Sequence, residues 1–138
     1  MTCPLCREDG GHLVARDAAL RIVRVDDADY PGFFRVIWNA HVAEMSELTP
    51  DQQRHLLDAV LRVERALRQA MAPRKINLAS LGNQVPHLHW HVIPRFDDDP
   101  HFPQPIWAGR QRDTPAQIQA LRRQAAEAAA VAIANGSA

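Results

Sequence analysis

The sequence predicts an α+β fold with a mainly antiparallel sheet, and three observations carry that prediction. Val85-Pro86-His87-Leu88-His89-Trp90-His91-Val92-Ile93-Pro94-Arg95 places histidine at every second position with large apolar residues between, the pattern of a strand with two different faces. Two earlier apolar, β-branched runs, ending near Val25 and Trp38, are joined by a connection too short for a helical crossover and so must pair antiparallel. Thr-Pro-x-Gln occurs at Thr49 and again at Thr114, each time followed by an apolar pattern of helical period.

Taken in order, the region from His12 to Val25 ends in Leu20-Arg21-Ile22-Val23-Arg24-Val25, an alternating strand that Asp26 to Asp29 break. Tyr30-Pro31-Gly32 reads as a turn and Phe33 to Trp38 as the next strand of a meander, with Asn39 to Leu48 as a connector. At Thr49-Pro50-Asp51-Gln52 a helix starts, with Thr49 as N-cap, Pro50 in the first position and Gln52 completing a capping box. Leu56, Val60, Val63 and Leu67 line its inward face, and Pro73 closes it. Lys75 to Ala79 is a further strand, and Ser80-Leu81-Gly82-Asn83-Gln84 is a loop that feeds the histidine strand. Beyond Asp97-Asp98-Asp99-Pro100 and a proline-punctuated stretch through Trp107, an alanine-rich helix over residues 114–134 carries Ile118, Leu121, Val131 and Ile133, capped by Thr114 and stopped by Gly136.

At 138 residues the chain reads as a single domain, 1–138, able to bury about two-thirds of its unfolded surface without disulfides. Lys plus Arg and Asp plus Glu each number 16, which gives no bulk electrostatic reason to expect a nucleic-acid or membrane partner. Arg7, Glu8 and Asp9 stand where a signal peptide would be apolar, and no window approaches the roughly 20 apolar residues of a membrane span. The expectation is a cytoplasmic protein with reduced thiols, in which Cys3-Pro4-Leu5-Cys6 suggests metal or redox chemistry.

In a strand, His87, His89 and His91 would share one face roughly 6.5–7 Å apart while Leu88, Trp90 and Val92 enter the core. One histidine in a strand is usually structural. Three on one face point to a metal site or to catalysis, because clustered imidazoles lose hydration and repel one another when charged.

The run His-Leu-His-Trp-His-Val-Ile fits His-φ-His-φ-His-φ-φ, φ being apolar, and the chain thereby resembles the histidine triad (HIT) superfamily of nucleotide hydrolases and transferases. The resemblance also covers the early strand pair, the middle helix, the glycine-containing loop and the Ile-Pro-Arg that ends the triad. It implies a HIT-like fold, a homodimer, and a small-molecule nucleotide substrate, with dinucleoside polyphosphates and nucleoside phosphoramidates as the leading classes and no organic cofactor. Carried onto matching positions, His89 is the nucleophile that forms a nucleotidyl-histidine intermediate and His91 stabilises phosphate oxygens, while Gly82, Asn83, Gln84 and Asn77 contact phosphate. Asp26 lies one residue from the expected ribose-binding acid. Two departures stand out: Phe33 replaces the histidine of a family Pro-Gly-His, and Asn83-Gln84 replaces a common Gln followed by Ser or Thr.

Some members of the superfamily bind structural zinc through a Cys-x-x-Cys pair, a histidine after the early strands and the first triad histidine. The matches here are Cys3, Cys6, His41 and His87, which make residues 1–11 a zinc-binding N-terminal segment. Arg95 is a candidate for either phosphate or a carboxylate, Trp107 for packing or closure over a base. Asp97 to Asp99 read as a solvated turn, and His12, His55 and His101 as surface residues. Against an enzyme stands a second reading, a nucleotide-binding sensor or zinc-stabilised interaction protein with little turnover.

Overall fold

The computed structural model describes residues 2–136, so the expected limits of the domain at 1 and 138 lie outside the described residues. Five strands, β1 (His12–Arg16), β2 (Leu20–Arg24), β3 (Phe34–Trp38), β4 (Lys75–Ala79) and β5 (His89–Arg95), form one sheet in the order β1-β2-β3-β5-β4. Every pairing is antiparallel. With α1 (Pro4–Arg7), α2 (Pro50–Met71) and α3 (Ala116–Ala134), this is the α+β architecture expected.

The two faces of the sheet carry different work. Ile22, Phe34, Val36, Leu88, Val92 and Ile76 point to one side, where they meet Leu56, Val60, Val63 and Leu67 of α2 and Ile133 of α3 in the main core. The opposite face presents Val23 of β2, Arg35 and Ile37 of β3, and His89 and His91 of β5. Pairing register fixes this grouping: Val23 faces Arg35, Arg35 faces His91, and Ile37 faces His89. The N-terminal segment covers part of that face through Leu5, which packs on Val23 and Ile37. His89 and His91, on that second face, are themselves largely buried.

Helix α2 begins as its sequence dictates. Thr49 Oγ1 accepts from the Gln52 amide at 3.2 Å, and the Gln52 side chain accepts from the Thr49 amide at 2.8 Å. Such a box satisfies two amides that the first helical turn leaves without partners. The helix closes at Ala72, which takes the left-handed conformation (φ 47°) just before Pro73.

Three expectations are corrected. His12 to Val25 is a hairpin rather than a lead-in to one strand, because Asp17 makes a turn without glycine or proline: its Oδ1 accepts from the amides of Ala19 and Leu20 at 2.8 Å. Thr114 does not cap α3; its hydroxyl donates to the Asp98 carbonyl at 2.6 Å, and Pro115 holds the cap position without a side-chain bond. Leu121 and Val131 are exposed, whereas the buried residues of α3 are Gln119, Ala126, Ala129 and Ile133. Small alanines, with Ile133, let α3 lie close along α2, and Leu121 and Val131 fall outside that contact.

Candidate functional site: one row of histidines, two destinations

His87 precedes β5 rather than lying in it. It is fully buried, and its Nε2–H donates to the Trp38 carbonyl at 2.6 Å. A carbonyl can only accept, so the proton is on Nε2 and the Nδ1 lone pair is free. That Nδ1 lies 3.4 Å from Cys3 Sγ, 3.5 Å from Cys6 Sγ and 3.2 Å from His41 Nδ1, while Cys6 Sγ is 3.3 Å from His41 Nδ1. The four donor atoms fall within 4.8 Å of one another. Tetrahedral zinc with Zn–N of about 2.05 Å and Zn–S of about 2.3 Å needs N···N edges of about 3.3 Å and N···S edges of about 3.5 Å. The four edges given above match, and two soft sulfurs with two imidazoles are a closed structural set; the residues fit the ion. The Trp38 carbonyl supplies the partner that orients a metal-bound imidazole.

His89 is held by the opposite nitrogen. Its Nδ1–H donates to the His87 carbonyl at 2.6 Å, which leaves Nε2 as the ring's free base. Burial, together with the nearby charge of Arg35, pushes its pKa below the ordinary value against the effect of that hydrogen bond. His91 stands edge-on to His89, with ring centroids 4.9 Å apart, and is flanked by Phe33 at 5.5 Å and Trp107 at 5.3 Å. Burial among these rings, then the neighbouring His89 and Arg35, lowers its pKa to about 4. Both histidines are thus neutral bases near pH 7. The Nδ1 of His91 is buried with no partner among the described residues.

Both rings open onto a cleft of about 650 Å³, walled on one side by Leu5, Glu8 and Gly10 and on the other by Gly82, Asn83 and Gln84. Gly82 has φ +76°, which a residue with a side chain adopts only under strain, and a Cβ there would still meet nothing closer than 3.7 Å. The turn's need for positive φ, rather than a close approach, thus calls for glycine. No internal hydrogen bond engages the amides of Gly82, Asn83 or Gln84 among the described residues. Amides of that kind beside two imidazoles can hold phosphate oxygens.

Not every residue singled out in the sequence reaches this cleft. Asn77 points into a neighbouring groove of about 780 Å³ along β4, where its Oδ1 accepts from Arg95 Nη1 at 2.8 Å. Asp26 is exposed and lines a third groove beside Arg123 and Glu127, away from the histidines. Neither lines the cleft onto which His89 opens. Phe33, at the position of the expected histidine, is an apolar wall for His91. Trp107, more than half exposed, closes the other side of that ring.

Arg95 takes the carboxylate. Its Nε donates to Asp99 Oδ2 at 2.8 Å and its Nη2 to Asp99 Oδ1 at 3.1 Å, with both side chains 2% exposed. Burial acts to raise the Asp99 carboxyl, but Arg95 and the amides of Phe96, His101 and Phe102 override it and hold it at about 2. Tyr30 adds its hydroxyl at 3.2 Å and bonds His101 Nδ1 at 2.6 Å. Asp99 is therefore a buried anchor for the loop that carries Trp107, where a solvated turn was expected. Reading the aspartates as a surface run concealed this; the signal that could have found it is an Asp followed by Pro just after an arginine-terminated strand.

Two further arginines went unassigned in the sequence. Arg21, 3% exposed, donates to the carbonyls of Leu5, Glu8 and Asp9 and to Asn39 Oδ1, clasping the N-terminal segment to β2. Arg35 lines the cleft floor. Arg35 is the lone cation of the apolar strand β3, which is the signal that alternation alone passes over; Arg21 shares β2 with Arg24 and carries no such mark.

An antiparallel α+β sheet presenting alternate histidines to a cleft with free loop amides is an arrangement that can hold phosphate oxygens. The HIT domain family model matches residues 7–98, and the chain belongs to that family. A histidine triad protein from Bradyrhizobium japonicum superposes with a TM-score of 0.72 at 27% identity, over 88% of this chain and 89% of that one. One from Sinorhizobium meliloti gives 0.70 at 28% identity over 88% of each chain. A zinc-bound histidine triad family protein from Mycobacterium smegmatis shares the fold, with a TM-score of 0.63 at 21% identity over 92% and 94% of the two chains. No curated protein sequence matches significantly. Family membership supports a nucleotide-binding, hydrolase-type function. No helix among the described residues is long and apolar enough to cross a membrane.

Proposed function

We propose that the protein is a nucleotide hydrolase that cleaves at the α-phosphate of a dinucleoside polyphosphate or nucleoside phosphoramidate through a nucleotidyl-His89 intermediate. The observation that carries this reading is the 2.6 Å bond from His89 Nδ1–H to the His87 carbonyl, which leaves Nε2 as a free base facing the cleft. That lone pair attacks the α-phosphorus. An N–P bond forms, and the bond to the leaving oxygen or nitrogen breaks with its electron pair departing on the leaving group. Water then attacks phosphorus, the N–P bond breaks and the monophosphate is released. His91, as a neutral N–H donor, and the amides of Gly82, Asn83 and Gln84 stabilise the charge that develops on the phosphoryl oxygens. Asn77 acts only indirectly, through Arg95, and Asp26 has no part in this scheme.

Cys3, Cys6, His41 and His87 would hold one structural zinc, whose chemistry is to tie the N-terminal segment to the start of β5. The tetrahedral spacing of the donors supports it, as does the zinc bound by the M. smegmatis relative. Free thiols at Cys3 and Cys6 suit a reducing compartment such as the cytoplasm. A homodimer accords with the family resemblance, and the open edge of β4 offers a second copy a strand to pair with.

Incubation with a dinucleoside polyphosphate and an adenosine phosphoramidate, alongside His89→Ala, tests the reading. Turnover by the wild type that the variant loses is the expected result. Binding without turnover would favour the sensor, and undiminished hydrolysis by the variant would reject His89 as nucleophile.

A further inference from the structure

Arg35 is a cation without a counter-ion. It lies in the middle of β3 between Phe34 and Val36, directly across from His91 on the face that carries the histidines. Among the described residues it enters no ion pair. Among the described residues its side chain makes a single hydrogen bond, from Nη1 to the Gly10 carbonyl at 3.1 Å, and its Cζ rests 5.6 Å from the centroid of the Phe33 ring. Its Nε is buried with no partner. Glu8, the one carboxylate lining the cleft, is exposed at the rim. Burial pushes the guanidinium below its ordinary pKa, though an arginine so placed keeps its charge.

Position decides what this charge can meet. The free amides belong to the 82–84 loop, whereas Arg35 rises from the sheet beside His91, with its Nη1 on the Gly10 carbonyl of the N-terminal segment. A phosphorus attacked by His89 and cradled by the loop leaves Arg35 for a different part of the ligand. A planar fork of N–H donors whose Nη2 is neither buried nor bonded among the described residues matches the oxygens of a phosphoryl group.

Resting on the hydrolase reading of the cleft, we propose that Arg35 is a specificity-determining residue that holds a second phosphoryl group of the substrate's polyphosphate chain and so favours dinucleoside polyphosphates over nucleoside phosphoramidates. A phosphoramidate carries a single phosphoryl group and leaves the guanidinium unpaired in the cleft, the less favourable arrangement for a half-buried charge. The cation would also strengthen a polyphosphate leaving group by accepting part of the charge it takes away.

The test compares wild type, Arg35→Gln and Arg35→Lys. The kcat/KM ratio of a diadenosine polyphosphate to adenosine phosphoramidate is read in each, together with calorimetric affinities for ATP and AMP without added magnesium. The wild type should bind ATP at least about tenfold tighter than AMP, as one charge-assisted phosphate contact implies. Arg35→Gln should lower both the substrate ratio and the ATP preference by about ten- to a hundredfold, and Arg35→Lys should retain part of each. A wild type that binds ATP no better than AMP overturns the proposal, as does a substrate ratio unmoved in Arg35→Gln. Preference for ATP that Arg35→Gln abolishes, in a protein that turns over neither substrate, would uphold Arg35 while rejecting the hydrolase reading.

Discussion

His87 and His89 are the same residue two positions apart, and they are mirror images in protonation. Each is fixed by one backbone carbonyl at 2.6 Å, but His87 gives its Nε2–H to Trp38 and His89 gives its Nδ1–H to His87. One ring therefore offers Nδ1 to a cluster of two cysteines and a histidine, and the other offers Nε2 to an open cleft. Side-chain alternation brings His89 and His91 to one face of the sheet, with His87 just ahead of the strand. The carbonyl each one finds determines which nitrogen remains a base, and so whether it serves structure or chemistry.

Removing each nitrogen's function separately is the sharpest way to break this comparison. His89→Ala should lower turnover by about 10⁴-fold or more, the scale for losing a nucleophile, while zinc content stays at about one per chain by elemental analysis. Cys6→Ser should show the reverse order of effects. Zinc content should fall, and thermal unfolding should report a loss on the order of 4 kcal/mol, the linkage expected for metal held at about a thousand times its Kd. If Cys6→Ser left both zinc and stability unchanged, His87 would lose its separate destination.

The loop that closes the cleft gives the next effect. Asp99→Ala strands Arg95 as a buried charge and should destabilise the fold by about 3–5 kcal/mol in denaturant melts. Its pH signature follows from the sign of the shift. The folded carboxyl titrates at about 2, below its ordinary value of 3.8, so its stabilisation is complete above about pH 5 and is lost as pH falls through 3.8 towards 2. Asp99→Ala should flatten that part of the acid-stability curve.

His91 gives the smallest of these effects at neutral pH and a diagnostic one in acid. Its folded pKa of about 4 lies below the ordinary 6.5, so the unfolded chain binds more protons between those values, and stability declines as pH drops through that window. His91→Gln, which does not titrate, should lessen the decline and reduce turnover by about 10²-fold. A decline of equal size in the variant would show that His91 does not carry this charge change.

Residues that act through local rules were legible in the sequence. The capping box at Thr49, the strand at Lys75–Ala79 and the Gly82 loop all follow from short-range chemistry and stand where that chemistry places them. The quartet of Cys3, Cys6, His41 and His87 was reached through family resemblance, and the fold brings those four donors together. Asp17 hid a hairpin because its side chain turns the backbone without glycine or proline. Thr114 looked like a cap, yet tertiary structure offered its hydroxyl the Asp98 carbonyl instead. Arg35 and Asp99 escaped for a common reason: each one's importance depends on partners distant in the fold, or on having none, and periodicity carries neither kind of information.

The central claim is that His89 Nε2 is the attacking atom. Wild-type protein quenched in acid-free denaturant during turnover of a diadenosine polyphosphate, then digested and analysed by mass spectrometry, tests it directly. The account predicts one added nucleoside monophosphate on the peptide spanning the triad, with fragmentation placing it on His89. An adduct on His87, His91 or any other residue, or steady turnover with no adduct trapped at any time, would contradict it.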